Sequence, residues 1–123
     1  MRDEFVQMMK RRLLSFKYAF RGLYLLFKSQ PNAWIHLFAA FGVIVAGFIL
    51  KLSISEWIFV TFAIGFVISA ELFNTAIEAL VDKVSPEQNP ISGKVKDLAA
   101  GAVLVAAITA AVIGLVIFVP KVF

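Results

Sequence analysis

From Phe5 through Met9, Leu13, Phe16, Phe20 and Leu23 to Phe27, apolar side chains recur at three- and four-residue steps, with Arg12, Lys17 and Arg21 between them. That period predicts an amphipathic helix over about residues 2–29, of the kind that lies along a membrane surface. Ser29-Gln30-Pro31-Asn32 breaks it. Beyond the break the periodicity disappears and the apolar positions become nearly continuous. Trp34 to Leu50 contains one ionisable residue, His36; Trp57 to about Val81 ends at Asp82-Lys83; Leu98 to Val119 is the third run. About 20 apolar residues in a helix cross a hydrocarbon core of about 30 Å. The runs therefore predict three transmembrane helices, at about 33–50, 56–82 and 96–119. Lys51 to Glu56 reads as a short turn, and 84–94, with Pro86, Asn89, Pro90 and Gly93, as a polar loop.

Composition makes a soluble alternative untenable. The chain has 123 residues, is 61% hydrophobic and has mean hydropathy +0.90, and a small domain buries too little surface to hide that much apolar area. The expected fold class is an all-α membrane protein, a single domain over 1–123, with a surface helix and three spans. The absence of cysteine excludes disulfide frameworks, thiolate metal sites and cysteine nucleophiles. One histidine cannot form a multi-histidine metal site within a chain, although an oligomer could supply copies. His36 is accordingly read as a packed or hydrogen-bonded helix residue, and Trp34 and Trp57 as interfacial anchors.

The charge changes the picture at one end. The net charge is +4, and Arg2, Lys10, Arg11, Arg12, Lys17, Arg21 and Lys28 face only Asp3 and Glu4 in the first helix. A basic, aromatic-rich segment leading into a span suits an anionic inner leaflet better than nucleic acid, and serves equally as a topology signal. The first helix does not read as a cleaved leader. The positive-inside rule places it in the cytoplasm, with the 84–94 loop, and the Lys51–Glu56 turn outside. Ala102, Ala106, Ala110 and Gly114 form a smooth stripe on which another helix can pack.

Candidate chemistry sits in the second span. Glu71, Asn74, Glu78 and Asp82 fall within an arc of roughly 80° at 3.6 residues per turn, so they share a helix face. Intramembrane carboxylates cost about 2.5–3.5 kcal/mol near the bilayer centre on insertion scales, which argues for a site. Glu71 lies about 16 Å along the axis from Asp82. Asp82 and Lys83 also suit ordinary interfacial residues. Ser92 to Leu98 returns Lys94, Lys96 and Asp97 to the level of Glu78 and Asp82. Carboxylates with an amide suit Mg²⁺, and lysines neutralise phosphate, which points to a nucleotide; mutual salt bridging is the competing reading.

The run Glu71-Leu72-Phe73-Asn74-Thr75-Ala76-Ile77-Glu78-Ala79-Leu80-Val81-Asp82, followed by Lys96-Asp97 and Ala100-Gly101-Ala102-Val103-Leu104, resembles the prokaryotic diacylglycerol kinase and undecaprenol kinase family. The resemblance extends from about Phe16 to the end and includes Phe20-Arg21-Gly22-Leu23. It implies homotrimeric bacterial inner-membrane enzymes, multi-pass with a cytoplasmic active site, that move phosphate from ATP to a lipid alcohol with Mg²⁺. By the same resemblance, Glu71 would be the general base and Glu78 would hold the metal. Asn74, Lys96 and Asp97 would position phosphates, with Arg11, Tyr18 and Glu87, Gln88 and Asn89 also at the nucleotide; Asp82 closes the motif.

Two positions depart from the pattern. Gln30 stands where a second metal-binding glutamate is usual, and Trp34 where an arginine is common. Gln30 offers only a neutral carbonyl, which weakens the metal position and makes a catalytically weak, kinase-like scaffold an alternative. Ile35-His36, Gly47-Phe48, Glu56-Trp57 and Pro120-Lys121 resemble the undecaprenol kinase branch, so undecaprenol is preferred to diacylglycerol as acceptor. A small oligomeric transporter using Glu71 and Glu78 is the alternative from another class, and it leaves Lys96-Asp97 without a role.

Overall fold

A computed structural model describes residues 1–123 and contains four helices and no strand: α1 (Arg2–Ser29), α2 (Pro31–Ile49), α3 (Ile54–Val84) and α4 (Pro90–Val122). Only Gln30 separates α1 from α2. Its extended backbone (φ −118°, ψ 108°) is what a following proline imposes, and Pro31 then occupies the first turn of α2, where its missing N–H costs no hydrogen bond. Trp34 closes this corner: its Nε1 donates to the Phe27 carbonyl at 2.6 Å and its ring meets that of Phe27 edge-on at 5.5 Å. It is thus a tie between α1 and α2 as well as a residue at the start of a span.

The α2–α3 turn is shorter than the sequence suggests. The Leu52 N–H reaches the Gly47 carbonyl at 3.1 Å, while Lys51 takes a left-handed conformation with φ 56°, a Schellman closure of α2. Ser53 and Glu56 then form a reciprocal capping box that starts α3 at Ile54. A Cβ on Gly47 would lie 2.6 Å from Trp57 Cη2 and 2.9 Å from Leu52 Cδ1, so glycine is what lets α2 meet the beginning of α3.

The expected 84–94 loop shrinks to Ser85–Asn89. Asn89 Oδ1 accepts from the Ser92 N–H at 2.9 Å and Pro90 is in the first turn, so the residues read as loop formers are a helix start. At the other end α4 continues through Pro120 to Val122 instead of ending near 119. The spans are correspondingly longer than their apolar cores.

α3 and α4 form an antiparallel hairpin that carries most of the tertiary packing. Two ion pairs mark its ends: Asp82 with Lys96 at the linker, and Glu56 with Lys121 at 3.1 Å near the α2–α3 turn. Along α3 the two acids are about 39 Å apart at 1.5 Å per residue, close to the thickness of a bilayer with its interfacial regions. Only 12 of 123 residues are buried, whereas Phe38, Phe41, Phe48, Phe62 and Phe73 point outwards, so the apolar surface has to be covered by lipid or by another chain. α2, α3 and α4 are each long and apolar enough to cross a membrane.

The core cluster of Leu52, Val60 and Ile117, with Trp57 and Phe118 against it, lies at the Glu56 end. Part of the small-residue stripe is used internally: Ala106 is fully covered, and Ala110 and Gly114 line a cleft between the spans. α1 packs only through its last turns, with Leu26 buried and every residue up to Arg21 exposed.

Candidate functional site

α2 runs antiparallel to α3, which sets Gln30 beside Glu78 and His36 beside Glu71. Two polar rungs therefore cross an otherwise apolar helix pair. At the deeper rung Glu71 is only 3% exposed, and its Oε1 lies 3.2 Å from His36 Nε2. That separation allows a charge contact, but the atoms are not aligned as a hydrogen bond, and the sealed Oε1 has no donor. A buried carboxylate without hydrogen bonds is costly, so its presence needs a functional explanation.

At the second rung Glu78 is held by amides. Gln30 Nε2 donates to Oε2 at 3.4 Å and Asn74 Nδ2 to Oε1 at 3.5 Å. Asn74 Oδ1 is buried without a partner, as is Thr75 Oγ1. No three acidic or histidine side chains converge as a ready cation cage. The donors nonetheless fit a hard cation: one carboxylate and two amides, Gln30 and Asn74, each of which exchanges the N–H₂ it aims at Glu78 for its oxygen by a half-turn.

The third level lies at the linker. Asp82, Ser85, Glu87, Gln88, Asn89 and Lys96 border a polar hollow of about 480 Å³. Lys96 is paired with Asp82, so the salt-bridge reading of these two holds within the chain. Asn89 is occupied structurally, its Nδ2 donating to Ser85 Oγ at 2.7 Å while its oxygen caps α4. Asp97 is exposed and forms no ion pair. Arg11 and Tyr18 are also exposed, and lie about 22 Å and 12 Å along α1 from the buried Leu26. The structure thus groups Glu71, Asn74, Glu78 and Gln30, gathers Asp82, Glu87, Gln88, Asn89 and Lys96 below them, and leaves Arg11 and Tyr18 outside.

The sequence predicts His36 as a packed or hydrogen-bonded helix residue without naming a partner; in the fold the ring touches Glu71 and lines an apolar cleft of about 560 Å³ walled by residues including Ala40, Val67, Ala110 and Gly114. His36 is the one ionisable group in that lining. The available signal was register: His36 lies six positions after Gln30 and Glu78 seven after Glu71, so an antiparallel pair that joins one rung joins the other.

The profile of the prokaryotic diacylglycerol kinase family matches residues 17–118, and the chain belongs to that family of membrane lipid kinases. Among its relatives, the undecaprenol kinase of Bacillus subtilis is 42% identical over 113 residues, 92% of each chain. The diacylglycerol kinase of Synechocystis is 39% identical over 83% of this chain and 59% of its own, and that of Haemophilus influenzae 32% identical over 75% and 78%.

Proposed function

We propose that this lipid kinase transfers the γ-phosphoryl group of ATP directly to the hydroxyl of undecaprenol at the cytoplasmic face of a bacterial inner membrane. The observation that carries the reading is Glu71, a carboxylate sealed among apolar helices with no hydrogen bond from the protein. Such a group suits a general base for an alcohol delivered from the lipid. Undecaprenol is favoured by the similarity to the Bacillus subtilis protein over most of both chains.

In the reaction, Glu71 takes the hydroxyl proton as the oxygen attacks the γ-phosphorus; the bond from that phosphorus to the bridging oxygen breaks and ADP leaves. No covalent enzyme intermediate is required. Glu78, with the amide oxygens of Gln30 and Asn74, would hold Mg²⁺, which when bound neutralises charge on the phosphates. Lys96, released from Asp82, adds a cation beside them, and Asn74 and Asp97 orient the triphosphate. Glu87, Gln88 and Asn89 border the hollow for the rest of the nucleotide.

The amphipathic α1 lies on the membrane surface with its apolar face in the leaflet and its basic side chains at the anionic headgroups. Arg11 and Tyr18, unpaired within the chain, reach nucleotide across a subunit boundary in a homotrimer.

The test is transfer of label from γ-labelled ATP with Mg²⁺ in mixed micelles of undecaprenol or diacylglycerol. Label in undecaprenol is expected. Label confined to diacylglycerol would reassign the acceptor, and none in either across a wide Mg²⁺ range would defeat the kinase reading. Glu71→Gln should lose about 100-fold or more of the rate while assembling normally.

A further inference from the structure

We propose that His36 is a positioning residue for Glu71: its Nε2–H holds Oε1 of the carboxylate so that the other oxygen meets the acceptor hydroxyl. The proposal rests on the lipid kinase reading for the reaction it serves, and on the geometry alone for the contact.

Three observations converge. His36 Nε2 and Glu71 Oε1 are 3.2 Å apart although they come from different helices, and Glu71 has no other ion-pair partner. The imidazole, with its side chain 26% exposed, and the sealed Glu71 Oε1 make no hydrogen bond within the chain, and this contact is the one polar contact between helices that either has. The ring also lines the cleft between α2, α3 and α4, so His36 stands where that cleft meets the candidate base.

The physical need is clear. The last torsion of a glutamate has only a broad intrinsic preference, and a general base must present a lone pair within hydrogen-bond reach of the proton it takes. A donor from a second helix fixes that torsion. Catalytic hydrogen bonds are often poorly aligned before substrate binds and tighten afterwards, which accounts for a 3.2 Å contact without an aligned N–H. In this role the Nε2–H serves as a donor alone, and the hydroxyl proton goes to Glu71.

Two experiments on the full chain in lipid–detergent micelles test this. In the label-transfer assay, His36→Leu should lower kcat by about 10–100-fold, with KM for ATP nearly unchanged, as expected when a base is misplaced. His36→Gln, which restores an N–H donor, should recover most of that loss. Equal losses in the two variants, or a loss carried by KM for ATP, would overturn the role. The second experiment needs neither turnover nor a variant at position 36. Because His36 is the one histidine, the imidazole ¹⁵N–¹H signal of the labelled protein reports it alone. Glu71→Gln should move that signal, and an unchanged spectrum would overturn the contact while leaving the kinase reading standing. A wild-type protein that transfers no label would instead remove the kinase reading, and with it the role, even if the signal moved.

Discussion

Glu78 is met by two neutral amides, at 3.4 and 3.5 Å, and this bears on how strongly the proposed metal position would attract a cation. Mg²⁺ binds through oxygen and gains from each full negative charge, so a site with one carboxylate and carbonyl oxygens should need more metal than one with two carboxylates. Gln30→Glu is therefore expected to lower the Mg²⁺ concentration giving half-maximal transfer, by about threefold or more. An unchanged titration would show that Gln30 does not stand at the metal. The same substitution would place two acids side by side without metal, so it should also lower thermal stability in chelator, and Mg²⁺ should restore it.

At the scale of elements, the helix starts and stops are set by a few local devices: the Ser53–Glu56 capping box, the Schellman turn through Lys51, and the Asn89 cap before Pro90. Asn89→Ala removes both the cap of α4 and the tie to Ser85, and should destabilise the protein by about 1 kcal/mol. A thermal unfolding series in micelles measures this. Gly47→Ala tests the approach of α2 to α3. The added methyl meets Trp57 at 2.6 Å, and overpacking of this kind typically costs about 1–3 kcal/mol, so the midpoint should fall and the Trp57 emission should change. A wild-type midpoint would mean that the indole moves aside freely.

The whole molecule is a hairpin of long helices with α2 laid along it and an α1 that is almost free. Its two end pairs, Asp82–Lys96 and Glu56–Lys121, fix the hairpin's register; as exposed or half-exposed pairs they contribute little stability of their own. The basic α1 leads to the expectation that it and the Ser85–Asn89 linker face the cytoplasm. The cysteine-free chain allows a direct check with single substitutions. Gln88→Cys should react with an impermeant maleimide only from the cytoplasmic side of vesicles, and Lys51→Cys only from the other. The reverse pattern would invert the topology and put the proposed nucleotide site in the wrong compartment for ATP.

Within one helix, spacing is geometry, so the alignment of Glu71, Asn74, Glu78 and Asp82 was legible in the sequence, as were three spans and the break at Gln30. Continuous apolar runs also declared the solvent, because no core of this size could cover them. Helix ends were less legible at Pro90 and Gly93, where residues common in loops also start helices. Register between helices was the part only tertiary structure decided. Helices apolar on every side carry no hydrophobic period to show which face meets which neighbour, and in lipid the choice falls to close contacts and isolated polar groups. Here those are Gly47 against Trp57, Gln30 against Glu78 and His36 against Glu71. The last turned an unremarkable histidine into a neighbour of the candidate base.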